Sequence, residues 1–227
     1  MQDDPSTTPR RAFMSSVASI GTVIGLSGLA SAAHAAEAGG AAAEPATGFA
    51  KWLDSIGGKY RQVFDAPESN EGMPLIFPFV FLLTGPKAYG VPDQDLGVVI
   101  VLRHKAIPIA LTDAMWSKYR LGEEFGIKDP ASNAPSTRNF FAHSKPGDLL
   151  VPDASIDRLM ARGVKVGVCG MAIMHFSGTV AKRMGMPQEE VEKDWIAGLV
   201  PGATVVPSGV VAVNGAQARG CTYCFAG

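Results

Sequence analysis

The chain has 227 residues, of which 47% are hydrophobic and 18% are charged, a composition typical of a globular protein with one compact domain. Lysine and arginine together number 20 against 21 aspartate and glutamate residues, which gives a formal net charge of -1. Phosphate backbones require an excess of basic side chains, so this balance excludes nucleic acid as an expected partner.

The first 35 residues have the three parts of a secretory signal peptide. Two arginines at 10 and 11 precede a moderately apolar run over 14–30, and an A-x-A cleavage site follows at 33–35. The paired arginines resemble a twin-arginine signal, so we predict a Tat-type signal peptide over 1–35 and a periplasmic protein. A membrane anchor is the alternative reading, which the serine and glycine content of the run disfavours.

The rest of the chain divides into a lead-in and one domain. Residues 36–48 are low in complexity and rich in alanine and glycine, which predicts a flexible lead-in. Residues 49–227 then form a single predicted α/β domain. In its first part the spacing predicts a helix over 49–56, and the apolar run LIFPFVFLL over 75–83 predicts a buried strand.

The middle of the domain continues this alternation. A β-branched run over 97–102 predicts a strand, and a helix is predicted from about 112 to 125. Residues 126–150 contain several prolines, serines and asparagines with no sustained period, which predicts a long loop.

The last part has the clearest pattern. A helix is predicted from Asp153 to 162, followed by a strand over 164–168 that runs directly into Cys169 and a new helix. Further predicted elements are a helix that starts at Pro187, a short strand over 204–206 and a helix over 208–219.

Three side chains fall where ligands collect in a sheet of this type. Strands that read as continuous apolar runs and alternate with helices predict a parallel sheet covered on both faces. In such sheets, reactive groups lie outside the carboxyl ends of the strands. Arg103, His104 and Cys169 all follow predicted strands, so we take them as the candidate site.

The three cysteines consist of a close pair and a single residue. In an oxidising compartment Cys221 and Cys224 can close as a small disulfide, which leaves Cys169 as the unpaired thiol. A partial metal site and a resolving pair for Cys169 are the alternatives for Cys221-x-x-Cys224. A thiol at a helix N-terminus favours the thiolate, and Arg103 or His104 would add to this. The competing interpretation is that Cys169 is an inert buried thiol.

No motif predicts a cofactor or a metal ion. The sequence has no zinc-protease signature, no glycine-rich phosphate loop and no Gly-x-Ser-x-Gly elbow. His175 lies close to Met171 and Met174, but methionines on a helix that also carries Phe176 are more often packed in a core than bound to a soft metal.

The sequence from residue 162 onward resembles the DsrE/DsrF-type sulfur-relay family. The resemblance rests on three segments, RGVKVGVCGMA at 162–172, LVPGATVVPSGVV at 199–211 and GCTY at 220–223, and residues 98–110 are also similar. It implies a doubly wound, mostly parallel five-stranded sheet with helices on both faces, and trimers or hexamers. It also implies that Cys169 matches the position at which family members carry sulfur as a persulfide.

Two functions are therefore expected, and whether the protein is an enzyme is left open. In the first, it is a periplasmic sulfur-handling or thiol-redox protein in which Cys169 is the nucleophile or persulfide carrier, Arg103 and His104 stabilise its anion, and a sulfur-carrier or redox protein is the partner. In the second, it is a non-catalytic oligomeric subunit that binds a metal or tetrapyrrole or docks on a membrane complex.

Overall fold

The computed structural model describes residues 44–227, with side chains from Gly48 onward. The predicted signal peptide over 1–35 and the first part of the lead-in lie outside the described residues. Residues 45–227 form one compact unit. None of the helices within this part of the chain is both long and apolar enough to cross a membrane.

The elements follow one another as helices and strands along the chain. Helix α1 spans Glu44–Asp54, β1 Tyr60–Ala66, α2 Met73–Tyr89, β2 Leu96–Leu102, α3 Asp113–Tyr119, α4 Leu121–Glu124 and α5 Ile156–Ala161. They continue with β3 Lys165–Cys169, α6 Gly170–Met184, α7 Gln188–Ala197, β4 Thr204–Val206, α8 Gly209–Ala218 and β5 Thr222–Phe225. A 3-10 helix, His104–Ala110, follows β2.

The strands form one parallel sheet in the order β4-β3-β2-β1-β5. This confirms the predicted α/β class with a five-stranded sheet. β2 lies at the centre and is buried along its whole length, as expected for a strand covered on both faces.

Successive residues of the strands face opposite sides of the sheet, and each side has its own core. On β2, Ile100 and Leu102 belong to the larger cluster, whereas Val99 and Val101 belong to the smaller one. The larger cluster contains residues of α2, α3, α5, α6 and α7. The smaller cluster is closed by α1 and α8, through Trp52 and Ala212 among others.

The segment predicted as a strand over 75–83 is a helix. It lies within α2, which crosses from β1 to the parallel neighbour β2 and contains Pro78 and Pro86. The apolar residues of α2 are not confined to its buried face, because Leu75 and Leu82 are buried while Val80 and Leu83 are exposed.

Two strands were absent from the sequence prediction, and one boundary was misplaced. β1 and β5 are both missing from it, and β5 carries the terminal cysteine pair. Helix α1 begins at Glu44, so residues 44–48 of the predicted lead-in are helical. The long loop over 126–150 contains no helix or strand, as predicted. It is held by Arg138, which bonds both Asp129 and Asp148.

Candidate functional site

The candidate site lies at the carboxyl edge of the sheet. Cys169 is the last residue of β3, and Arg103 directly follows β2. Asp65 stands next to the end of β1, paired in register with Val101 on one side and Phe225 on the other. Parallel strands end at the same edge, so residues far apart in sequence meet here.

Cys169 joins β3 to α6 as the N-cap of that helix. Its Sγ accepts a hydrogen bond from the backbone N–H of Ala172 at 3.4 Å. The side chain belongs to the larger core cluster, and the residue is only 6% exposed. The predicted strand-to-helix placement of Cys169 is therefore confirmed, with the sulfur directed at the first turn of a 15-residue helix.

Arg103 is held by a buried carboxylate. Its Nε and Nη2 donate to the two carboxylate oxygens of Asp65 at 2.6 and 3.0 Å, and Asp65 is only 5% exposed. The hydrogen bonds from Arg103 to Asp65 raise the pKa of Arg103 against the opposing effect of burial, and the charge of Cys169 contributes in the same direction. Arg103 is thus fixed at the edge of the sheet where β3 ends in Cys169.

Tyr223 completes this cluster from β5. Its hydroxyl donates to Oδ2 of Asp65 at 3.0 Å, while about half of the residue, 47%, is exposed. Burial and the bond to Asp65 raise the pKa of Tyr223. The phenol is therefore a neutral donor at physiological pH, and Asp65 is shared between it and Arg103.

His104 makes different contacts from those expected of a partner to Cys169. Its backbone lies in the left-handed region, with φ of 48°. The ring pairs with Glu68 at 3.2 Å and contacts Phe176 of α6 edge-on. His104 thus connects the β1–α2 loop to α6.

Cys221 and Cys224 are both free thiols and face opposite sides of the sheet. Cys221 lies in the smaller core cluster, and Cys224 packs against the larger one. Their spacing of three residues along an extended backbone separates the side chains in this way. In this structure the predicted disulfide is not formed, and burial raises the pKa of both thiols.

The helices that follow β3 and β4 lie on opposite faces of the sheet. After β3 the chain enters α6 on the side of the larger cluster, and after β4 it enters α8 on the side of the smaller cluster. Ser208 caps α8 by accepting from the N–H of Val211 at 3.3 Å, much as Cys169 caps α6. Ligands of open α/β sheets bind in the crevice at such a switch point, and Cys169 lies at it.

The two helices that follow β3 and β4 carry several exposed apolar residues. We call the following four the apolar rim: Met171 and Met174 on α6, which are 54% and 41% exposed, and Val210 and Val211 on α8, which are 67% and 47% exposed. They occupy the first two turns of the two helices that begin at the crevice.

Asp65 and Tyr223 are residues of the candidate site that the sequence analysis did not identify. Both lie on strands that were not predicted. An aspartate near the end of a strand with apolar neighbours, Val63-Phe64-Asp65-Ala66, was the available signal, because a carboxylate buried in this way needs a partner. Across residues 44–227 there is no group of three or more His, Cys, Asp or Glu side chains arranged to hold a metal ion.

Comparisons with known proteins add little to this geometry. No protein-family model matches the chain, and no curated protein matches it significantly. Among solved structures, it is similar to the protein of unknown function MTH1491 from Methanobacterium thermoautotrophicum, with 18% identity over 73% of this chain and 98% of the other. The TM-score of that match is 0.35.

Proposed function

We propose that this chain is a periplasmic sulfur-handling or thiol-redox protein in which Cys169 is the nucleophile or persulfide carrier. One observation carries the proposal: Cys169 ends β3 and caps α6 at the switch point of the sheet, and at the same edge the neighbouring strand β2 is followed by Arg103, whose guanidinium is fixed by the buried carboxylate of Asp65. The resemblance of residues 162–172 to the sulfur-relay family supports the same role.

The chemistry that fits these groups is transfer of sulfane sulfur from inorganic polysulfide. The thiolate of Cys169 attacks the terminal sulfur, a new S–S bond forms on Sγ, and an S–S bond of the polysulfide breaks. The shortened polysulfide leaves with the bonding electrons, and the thiol proton passes to solvent. Arg103 then lies beside a persulfide anion, whose charge it stabilises.

Intact-protein mass spectrometry tests this assignment. The double variant Cys221→Ser/Cys224→Ser keeps Cys169 as its one thiol, and on treatment with sodium polysulfide it should gain the mass of one or more sulfur atoms, which dithiothreitol removes. Cys169→Ser should gain none at this position. The same reaction in urea is the control, because all thiols of the wild-type chain become accessible there. Absence of an adduct on folded Cys169 would refute the proposal.

The apolar rim favours a second candidate function, a non-catalytic oligomeric subunit that docks on a partner. Exposed apolar side chains grouped at one site are typical of protein interfaces. We expect a trimer or hexamer by light scattering, and Val210→Asp should dissociate it if the rim is the interface. Val210→Thr, which preserves the size of the side chain, is the matched control. A wild-type monomer at every concentration would contradict this candidate.

A further inference from the structure

A cavity of ≈ 640 Å³ lies away from Cys169, beside residues that precede the amino ends of β3 and β4. This volume is in the range of small-molecule sites. Its wall is mainly apolar and includes Ala142, Ile156, Met160, Val200 and Pro201. Four polar residues also line it: Thr112, Asp113, His143 and Asp157.

His143 and Asp157 form an oriented pair at this cavity. Nδ1 of His143 lies 2.9 Å from Oδ2 of Asp157. The other carboxylate oxygen accepts from the hydroxyl of Ser155 and from the backbone N–H of Arg158. The carboxylate is thus fixed from two sides. In the neutral imidazole, a carboxylate at Nδ1 holds the ring proton on that nitrogen, which leaves Nε2 as the acceptor.

The backbone that carries His143 is held in place by buried hydrogen bonds. Nδ2 of Asn139 donates to the carbonyls of Ile109 and Leu111 at 2.8 and 2.6 Å, and Oδ1 of Asn139 accepts from the N–H of Phe141 at 3.0 Å. The carbonyl of Phe141 in turn accepts from Ile156 at 2.9 Å. Although the side chain of His143 is 78% exposed, these bonds fix the backbone from which it extends.

The charge of the cavity selects among ligands. Of the described residues that line it, two are aspartates and none is lysine or arginine. One oxygen of Asp113 already accepts from the backbone N–H of Asn139 at 2.6 Å. An anion would meet uncompensated negative charge here, whereas a neutral hydroxyl can donate to the free nitrogen of the imidazole.

We propose that this cavity binds a small uncharged molecule with an apolar ring or chain and one hydroxyl group, which donates a hydrogen bond to Nε2 of His143. The apolar body occupies the space between Met160 and Val200, and Asp157 orients the imidazole. The site is separate from Cys169, since β3 runs between the segment that carries Met160 and the thiol.

Titration of the labelled protein by NMR, with p-cresol as the probe, tests this site. Backbone signals of Ala114, Ala142, Met160 and Val200 should shift on binding. Toluene, which has the same ring without the hydroxyl, should bind about tenfold more weakly because Nε2 is then left without its donor. The p-toluate anion should bind less well than either.

Two variants separate the hydroxyl contact from simple filling of an apolar space. His143→Ala should weaken p-cresol about tenfold and leave toluene unchanged, while Cys169→Ser should bind p-cresol as the wild type does. Any of four results would overturn the proposal. These are equal affinity for p-cresol and toluene, an unchanged affinity of His143→Ala for p-cresol, signal shifts at other residues, and no binding.

Discussion

At the scale of single residues, the Asp65–Arg103 pair joins the end of β1 to the residue that follows β2. Removing the cation leaves a carboxylate that is 5% exposed with one remaining partner, the hydroxyl of Tyr223. We expect Arg103→Met to lower the free energy of unfolding by about 2 kcal/mol, less than for a fully buried pair because Arg103 is partly exposed. Urea denaturation measures this change.

The matched control for this variant removes the weaker bond to the same carboxylate. Tyr223→Phe deletes only the hydroxyl, so the expected loss is about 1 kcal/mol. If the two variants were equally stable, Arg103 would not be the main partner of Asp65.

The Arg138–Asp148 pair predicts how the long loop responds to acid. Hydrogen bonds from Arg138 lower the pKa of Asp148 against the effect of burial, and the side chain is 3% exposed. A carboxyl whose folded pKa is depressed stabilises the fold above its unfolded pKa, and this stability is lost as the pH falls through the folded pKa.

The variant Asp148→Asn isolates this contribution. It should be less stable than the wild type by about 2 kcal/mol at neutral pH. The difference should shrink as the pH falls below about 4, the ordinary pKa of the carboxyl in the unfolded chain, and vanish once the folded carboxyl, whose pKa is lower, has also taken up its proton. Urea denaturation at several pH values measures it. A difference that stayed constant with pH would show that Asp148 does not act through its charge.

At the scale of secondary-structure elements, α2 shows where pattern reading fails. Nine nearly unbroken apolar residues, bounded by Pro74 and by Thr84-Gly85-Pro86, favoured a strand by their length, because the helical period is invisible when both faces are apolar. The structure exposes Val80 and Leu83 and buries Leu75 and Leu82. Residue type at each position therefore did not reveal which face of the helix packs on the sheet.

The missed strands explain the missed half of the candidate site. β1 begins with Tyr60-Arg61-Gln62, and β5 has only four residues, so neither presents a long apolar run. By contrast, β2 and β3 contain β-branched residues and have clear boundaries in the sequence. Their predicted positions placed Arg103 and Cys169 at the carboxyl edge of the sheet, where the structure has them. Side chains that follow predictable strands were found, whereas Asp65 and Tyr223, which depend on strand pairing, were not.

The amino end of β2 depends on a glycine that admits no side chain. A Cβ on Gly97 would lie 2.0 Å from the carbonyl oxygen of Gly57, a backbone atom that cannot move aside cheaply. We expect Gly97→Ala to cost about 2 kcal/mol of unfolding free energy. The neighbouring variant Gly57→Ala, where a Cβ meets open space, is the control in thermal or urea denaturation and should be near neutral.

At the scale of the whole molecule, the two faces of the sheet are unequally covered. The smaller cluster is closed by α1 and α8, and α1 contributes Trp52, whose ring lies against Gly167 on β3, two residues before Cys169. Trp52→Ala should lower the free energy of unfolding by about 3 kcal/mol. Phe49→Ala, on the same helix but only partly buried, should cost clearly less, and equal losses would contradict this role of Trp52.

The pairing of β1 with β5 has a consequence for the order in which the sheet is completed. Gln62 lies opposite Thr222, 160 residues away, so this edge of β1 stays unpaired until residues 222–225 have been synthesised. Contacts of such long sequence separation form slowly. The Tyr223–Asp65 bond is thus among the last to form, and the proposed twin-arginine route, which carries folded proteins, would export a chain in which the surroundings of Cys169 are already complete.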